Sequence, residues 1–262
     1  MDCIVEMECL RKEDRGNQTL QRIAEQLQCY KGPRRSKEIE QNSIDTGSGF
    51  RLMEAQDAEN KQFSCANGRD RRAAVLICLF QGYEGELRVI LTRRSMKLAS
   101  FPGDVALPGG KMEEGDVDDS ATALREAMEE IGLDSNLVQV VANLEPFISQ
   151  NDLRVVPVVG LLARIEDFRL VLNADEVEAV FDAPLEMFLK EENHRCEERS
   201  WKGWKYVLHC FDFESEKGDF LICGLTASIL IRAASVIYQR IPCFNEHLPD
   251  FQQLQRTLNN GA

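Results

Sequence analysis

The sequence predicts an α/β fold: a mixed β-sheet sandwiched between helices, with a helical extension at the N-terminus. Three observations carry that expectation. Residues 73–80, AAVLICLF, form a continuous apolar run, the pattern of a strand buried on both faces. Residues 119–131, DSATALREAMEEI, set Ala123, Leu124, Ala127 and Ile131 on one helical face and leave a cluster of glutamates at its edge. Residues 225–240 form a late, strongly apolar helix; it covers a sheet, but Arg232 and a length of about 16 residues argue against a membrane span.

The remaining elements follow in order. A chain of 262 residues is long enough for one substantial domain with an extension or for two small ones, and we expect an extension over residues 1–70, the main domain over 71–250 and a tail over 251–262. Within the extension, Leu20, Ile23, Ala24 and Leu27 recur at helical spacing, so a short amphipathic helix packs on the main domain. Residues 32–49 read as a polar linker. Beyond the first strand, a glycine turn at 82–85 leads into a strand over 87–92, and residues 137–144 and 155–162 supply two more. The helix over 119–131 starts near Asp119 or Ser120, both good caps, and Gly132 ends it. Residues 173–180 read as helical or turn-like, followed by a short segment ending at Leu189. Strands are expected again over 204–213 and 220–224.

Composition limits the partners. A net charge of −13 argues against nucleic acid or an anionic membrane. Such a protein needs divalent cations and local Arg or Lys to act on a phosphorylated small molecule. The nine cysteines contain no C-x-x-C pair, and several sit in apolar settings, as Cys78 does, so reduced thiols are expected. His194, His209 and His247 are scattered and read as structural or surface residues. The first 70 residues lack an apolar leader pattern and carry acids at positions 2, 6 and 8, and the final tripeptide is not a peroxisomal one; a cytoplasmic protein is expected.

Chemistry concentrates between Leu107 and Leu133. On a helix Glu126 and Glu130 lie four residues apart and Glu126 and Glu129 three, so three carboxylates share one patch. An all-oxygen set suits a hard cation such as Mg²⁺ better than zinc; the competing reading is a solvated acidic face. Pro108-Gly109-Gly110, just upstream, permits a tight turn and close backbone approach to a ligand. Arg71 and Arg72, with Arg69, flank the first strand and either reach a phosphate or are simply solvated.

The stretch resembles the Nudix box, G-x5-E-x7-R-E-U-x-E-E-x-G-U, where U is a bulky aliphatic. Arg125, Glu126, Ala127, Glu129, Glu130, Gly132 and Leu133 match its second half, while Asp116 stands for the first Glu and the loop holds one extra residue. A box of that form, with Ile90-Leu91-Thr92-Arg93-Arg94-Ser95, Gly103 and Leu107-Pro108-Gly109-Gly110 before it, is similar to the coenzyme A diphosphatase branch, its plant members above all. Two positions depart from the branch pattern, Ala99 for an Arg and Leu107 for a Phe.

The resemblance implies a Nudix-type α/β/α sandwich and a metal-dependent pyrophosphohydrolase that cuts coenzyme A or its acyl derivatives to 3′,5′-ADP and a 4′-phosphopantetheine. It implies that Glu126, Glu129 and Glu130 hold Mg²⁺ or Mn²⁺ with help from the Gly110 carbonyl, and that Arg125 orients a neighbouring carboxylate in catalysis. Glu126 serves partly as base; Glu176 is either a second base candidate from a later loop or an exposed acid with no task. Gly109, Gly110, Lys111 and Arg94 are expected to meet the substrate, Arg94 ahead of Arg93 because consecutive strand residues face opposite ways. Two alternatives stay open: a Nudix pyrophosphatase for NADH, ADP-ribose or another dinucleotide, and a non-catalytic Nudix domain that binds a nucleotide or a protein.

Overall fold

The computed structural model describes residues 18–30, 71–149, 153–201 and 204–244. A helix over 18–28 (α1) comes first. There follow β1 (Arg72–Gln81), β2 (Leu87–Arg94), β3 (Val105–Ala106), β4 (Gly109–Lys111), α2 (Asp119–Ile131), β5 (Val138–Asn143), β6 (Phe147–Ile148), β7 (Arg154–Leu162), β8 (Val177–Pro184), β9 (His194–Trp201), β10 (Trp204–Ser215), β11 (Gly218–Cys223) and α3 (Gly224–Tyr238).

β1 is the centre of the sheet because both of its faces are apolar. It runs parallel to β7, from Arg72 beside Arg154 to Leu79 beside Leu161, and antiparallel to β2 and β4. β2 carries β3 and β8 on its other side, and β7 carries β5 and β6, so the sheet is mixed. Alternation along β1 sends Ala74, Leu76, Cys78 and Phe80 to a core shared with Ala123, Ala127 and Ile131 of α2. Ala73, Ile77 and Leu79 enter the other core, with α1 and α3. Two buried faces explain the unbroken apolar run, and the expected α/β/α sandwich results.

The N-terminal helix belongs to this core. Leu20, Ile23, Ala24 and Leu27 are all buried, Gln26 Nε2 donates to the Val236 and Ile237 carbonyls at the end of α3, and the Tyr30 hydroxyl donates to Glu145 while accepting from Arg232. The expected linker over 32–49 and the tail over 251–262 lie outside the described residues. No helix among the described residues is long and apolar enough to cross a membrane.

Three expectations need correction. The helical or turn-like reading of residues 173–180 fails beyond Glu176: Val177–Pro184 is a strand paired along β2, with Val89 beside Ala183 and Leu91 beside Phe181. Its acidic residues obscured the alternation, although one of them, Asp182, pairs with Arg88 across the strands. A strand was also missed over His194–Trp201, whose charged sequence pairs with β10 in a separate three-stranded antiparallel sheet. Finally, Cys210 and Cys223 are joined in a disulfide rather than reduced. They stand directly opposite in the β10–β11 register, a closeness that spacing in sequence does not reveal. Cys29, Cys78, Cys196 and Cys243 are free.

Candidate active site

Local sequence fixes both ends of α2. Asp118 caps the N-terminus by accepting from the Ala121 N–H at 2.8 Å, and Gly132 adopts φ 73° to end the helix, a left-handed conformation suited to glycine. The first helical residue, Asp119, is buried and takes both Nε and Nη2 of Arg72 at 2.6 Å. Arg72 therefore anchors the helix to β1, a structural role that neither sequence reading foresaw.

The tight turn expected at Pro108-Gly109-Gly110 is instead a bend at Pro108 leading into the strand β4, and β4 meets the helix. Gly109 has φ 153°, and a Cβ there would lie 2.4 Å from the Ala74 carbonyl oxygen; at Gly110 it would lie 2.4 Å from the Glu126 carboxylate. The two glycines let the backbone run directly against β1 and against the helix carboxylates. Gly109 N–H then donates to Glu130 Oε2 at 3.2 Å.

Three carboxylates converge here, those of Glu126, Glu130 and Glu176, with ligand oxygens all within 4.8 Å of one another. Glu130 is only 5% exposed. Burial pushes its carboxyl up to about 8; the Gly109 N–H and the Arg94 charge draw it down, and the charges of Glu126 and Glu176 add to the rise. Burial likewise raises Glu126, opposed by Arg125. An oxygen-only group so crowded fits a hard divalent cation, which would relieve the repulsion among the three.

Glu129 lies outside that group. Its exposed side chain bonds to Arg125 at 2.9 Å, yet its charge still raises the Glu126 carboxyl, so it stands at the solvent edge of the cluster. Arg125 is a hub: it donates to Asp116, Glu126, Glu129 and the Lys111 carbonyl. Held by this guanidinium, Asp116 titrates near 2, well below the usual range. The irregular position in the box thus has a definite partner.

Glu176 arrives on the loop that leads into β8, whose first residue Val177 packs in the same core as α2. The loop before β8 is tied to the end of α2 by Val171 N–H to the Ile131 carbonyl and Asn173 N–H to the Glu130 carbonyl. At its other end, Ser95 N–H donates to the Glu176 carbonyl at 2.8 Å, and the buried Ser95 hydroxyl donates to the Ala174 carbonyl at 3.4 Å. Arg94 and Arg93 face opposite ways. Arg94 bonds to the Ser100 carbonyl and its charge is felt at Glu130, whereas Arg93 pairs with Glu178 and lies over the Phe220 ring. Lys111 is exposed on β4. His194 and His209 bond to each other at 2.9 Å in the aromatic cluster around Phe211 and Phe244; His247 lies outside the described residues.

The NUDIX domain pattern matches residues 70–207, more than half of the chain. The chain belongs to the NUDIX family. Among curated relatives, this NUDIX protein is 60% identical over 184 residues to Nudix hydrolase 15, mitochondrial, of Arabidopsis thaliana, covering 70% of this chain and 65% of that one. It is 50% identical to Nudix hydrolase 22, chloroplastic, of the same plant, over 90% of this chain and 79% of that one. A peroxisomal coenzyme A diphosphatase of Mus musculus is 41% identical over 61% of this chain and 68% of its own length. These relatives overturn the cytoplasmic expectation, since the two plant proteins are named for mitochondria and chloroplasts. The reason is physical: the composition of an N-terminal segment is an indirect cue, and addresses are read by receptors rather than by the fold.

Proposed function

We propose that this NUDIX hydrolase cuts the diphosphate of coenzyme A or its acyl derivatives, giving 3′,5′-ADP and 4′-phosphopantetheine or its acyl form, with Mg²⁺ or Mn²⁺. The observation that carries the reading is the group of Glu126, Glu130 and Glu176 against the Gly109-Gly110 backbone. Support for the substrate comes from the similarity to a coenzyme A diphosphatase. Glu126, Glu130 and Glu176 would hold the cation, with Glu129 at the solvent edge of the cluster. A bound divalent ion neutralises diphosphate oxygens and lowers the pKa of water.

The chain's own groups do the rest. Arg125 keeps Glu126 oriented and shares its charge between Asp116 and the helix carboxylates. Arg94 and Lys111 bind and orient the phosphates, holding the scissile bond in line with the acidic group. Glu126 is the carboxylate that takes a proton from the attacking water. The test is a substrate panel of coenzyme A, octanoyl-coenzyme A, NADH and ADP-ribose with and without Mg²⁺ or Mn²⁺, products separated by chromatography. Metal-dependent release of 3′,5′-ADP from the coenzyme is expected; cleavage confined to NADH or ADP-ribose refutes the substrate assignment, and no metal dependence refutes the role of the carboxylates.

A further inference from the structure

The small sheet of β9, β10 and β11 has one covered face and one open one. Phe211 and Ile222 stand opposite each other on β10 and β11 and are buried, as is Phe220 beside Phe213. The Phe220 ring stacks on Phe181 of β8 at 3.6 Å and lies under the Arg93 guanidinium. Alternate residues point the other way: Asp212 and Glu214 are exposed, and Leu221 is 45% exposed. Cys210 and Cys223 are an opposed pair of this second set, and their disulfide joins the two strands on the outward face. Cys210 is covered, whereas Cys223 is half-buried.

The fold asks little of this bond. Its two cysteines are only 13 residues apart in sequence, and the constraint that a cross-link puts on the unfolded chain is weakest for short loops. The same strands are already paired down to Ser215 and Gly218, and their packing rests on Phe211, Phe220 and Ile222 of the covered face. The surroundings favour exchange instead. Arg195 stands directly opposite Cys210 on β9, which places a cation on the same face beside it. A neighbouring cation helps a sulfur to leave as thiolate; Asp212, paired with Arg195 at 3.2 Å, takes part of that charge, so the help is partial.

Position links the bond to the acidic centre. Cys223 ends β11 and is the N-cap residue of α3, and in the first turn of α3 the Thr226 hydroxyl donates to the Val105 carbonyl at 2.9 Å. Val105 pairs with Arg93, and the Thr92 hydroxyl donates to the Ala106 carbonyl. Only Leu107 and Pro108 separate β3 from β4, where Gly109 N–H meets Glu130. The start of α3 therefore helps to hold the strand that feeds the glycine pair.

We propose that Cys210–Cys223 is a thiol–disulfide exchange site opened by a dithiol reductant, and that its state sets how firmly α3 holds β3 and hence the hydrolytic rate. One thiolate of the reductant attacks Cys223 Sγ, the Cys210–Cys223 bond breaks, and Cys210 departs as thiolate and takes up a proton. The second thiolate of the reductant then attacks the reductant's own sulfur in the mixed disulfide; Cys223 is released and protonated, and the reductant ends as its internal disulfide, having supplied two electrons.

The test uses the full chain with Mg²⁺, oxidised, after its free thiols, among them Cys29, Cys196 and Cys243, have been blocked with N-ethylmaleimide. The folded protein is treated with dithiothreitol at about 1 mM, newly freed thiols are mapped with a maleimide of different mass, and the rate is followed on whichever diphosphate of the substrate panel is cleaved, so that the outcome does not depend on the coenzyme A reading. We expect labelling of Cys210 and Cys223 and a rate lowered about three- to tenfold that returns on reoxidation. A bond that resists the dithiol until the chain is unfolded overturns the exchange site, and reduction with no change in rate overturns its control of the centre. A dithiothreitol effect of the same size in the Cys210→Ala/Cys223→Ala double variant overturns the assignment to this pair; should that variant fail to fold, the labelling and rate of the blocked wild type decide alone.

Discussion

Replacing Arg125 with glutamine probes the hub of the acidic cluster. The guanidinium meets Asp116 at 3.0 and 3.1 Å, Glu126 at 3.0 Å and Glu129 at 2.9 Å. Asp116, whose side chain is 7% exposed, would retain only the Thr122 hydroxyl and the Glu113 N–H. Holding this carboxyl near 2 instead of 3.8 corresponds to roughly 2–3 kcal/mol, at about 1.4 kcal/mol per pH unit. Leaving Glu126 without its counter-charge adds to the loss. Arg125 is itself 24% exposed, so the total stays below the 3–5 kcal/mol of a fully buried broken pair; we expect about 2–4 kcal/mol at neutral pH. Because the carboxyl is lowered in the fold, its stabilisation is complete above 3.8 and disappears as pH falls through about 2. Urea unfolding of the chelator-treated protein at pH 7, 5 and 3 should therefore show a gap between wild type and variant that is widest at the two higher values and narrows at the lowest. A gap of the same size at every pH, or one under about 0.5 kcal/mol at pH 7, would refute the ion-pair account.

Three other predictions follow from single contacts. Glu130→Gln keeps an oxygen for the Gly109 N–H and removes one of the three converging carboxyl groups; turnover should fall by about two to three orders of magnitude while the melting temperature of the metal-free protein stays nearly unchanged, and a variant with full turnover would remove Glu130 from the centre. Gly110→Ala would bring a methyl to 2.4 Å from the Glu126 carboxylate, so Mg²⁺-dependent rate should drop about tenfold or more with little change in unfolding; unaltered kinetics would show that the close approach is unimportant. Leu27→Ala, in a side chain only 2% exposed, should destabilise by about 2–4 kcal/mol in chemical denaturation, and a change under about 0.5 kcal/mol would mean that α1 is not part of the folded core.

The parts of the site that sequence revealed are those that local spacing controls. Glu126 and Glu130 fall on one helical face by periodicity alone, and the close backbone approach at Gly109-Gly110 is announced by the glycines, although they form a strand rather than the expected turn. Arg94 was separable from Arg93 because alternation along a strand is equally local. Glu176 was not legible in the same way. It stands 46 residues beyond Glu130 (176 − 130) in a segment whose acidic residues hide the strand that follows it. Only the pairing of β8 with β2, together with Ser95 and Asn173 holding the intervening loop, carries it across to the helix. The disulfide between Cys210 and Cys223 and the Arg72–Asp119 pair share that character, since each depends on the register between elements. Ser95 connects the two kinds of information. It lies in the same short run as Arg94, and its backbone and hydroxyl fix the loop that supplies the third carboxylate. One local stretch therefore prepares both the basic and the acidic side of the centre.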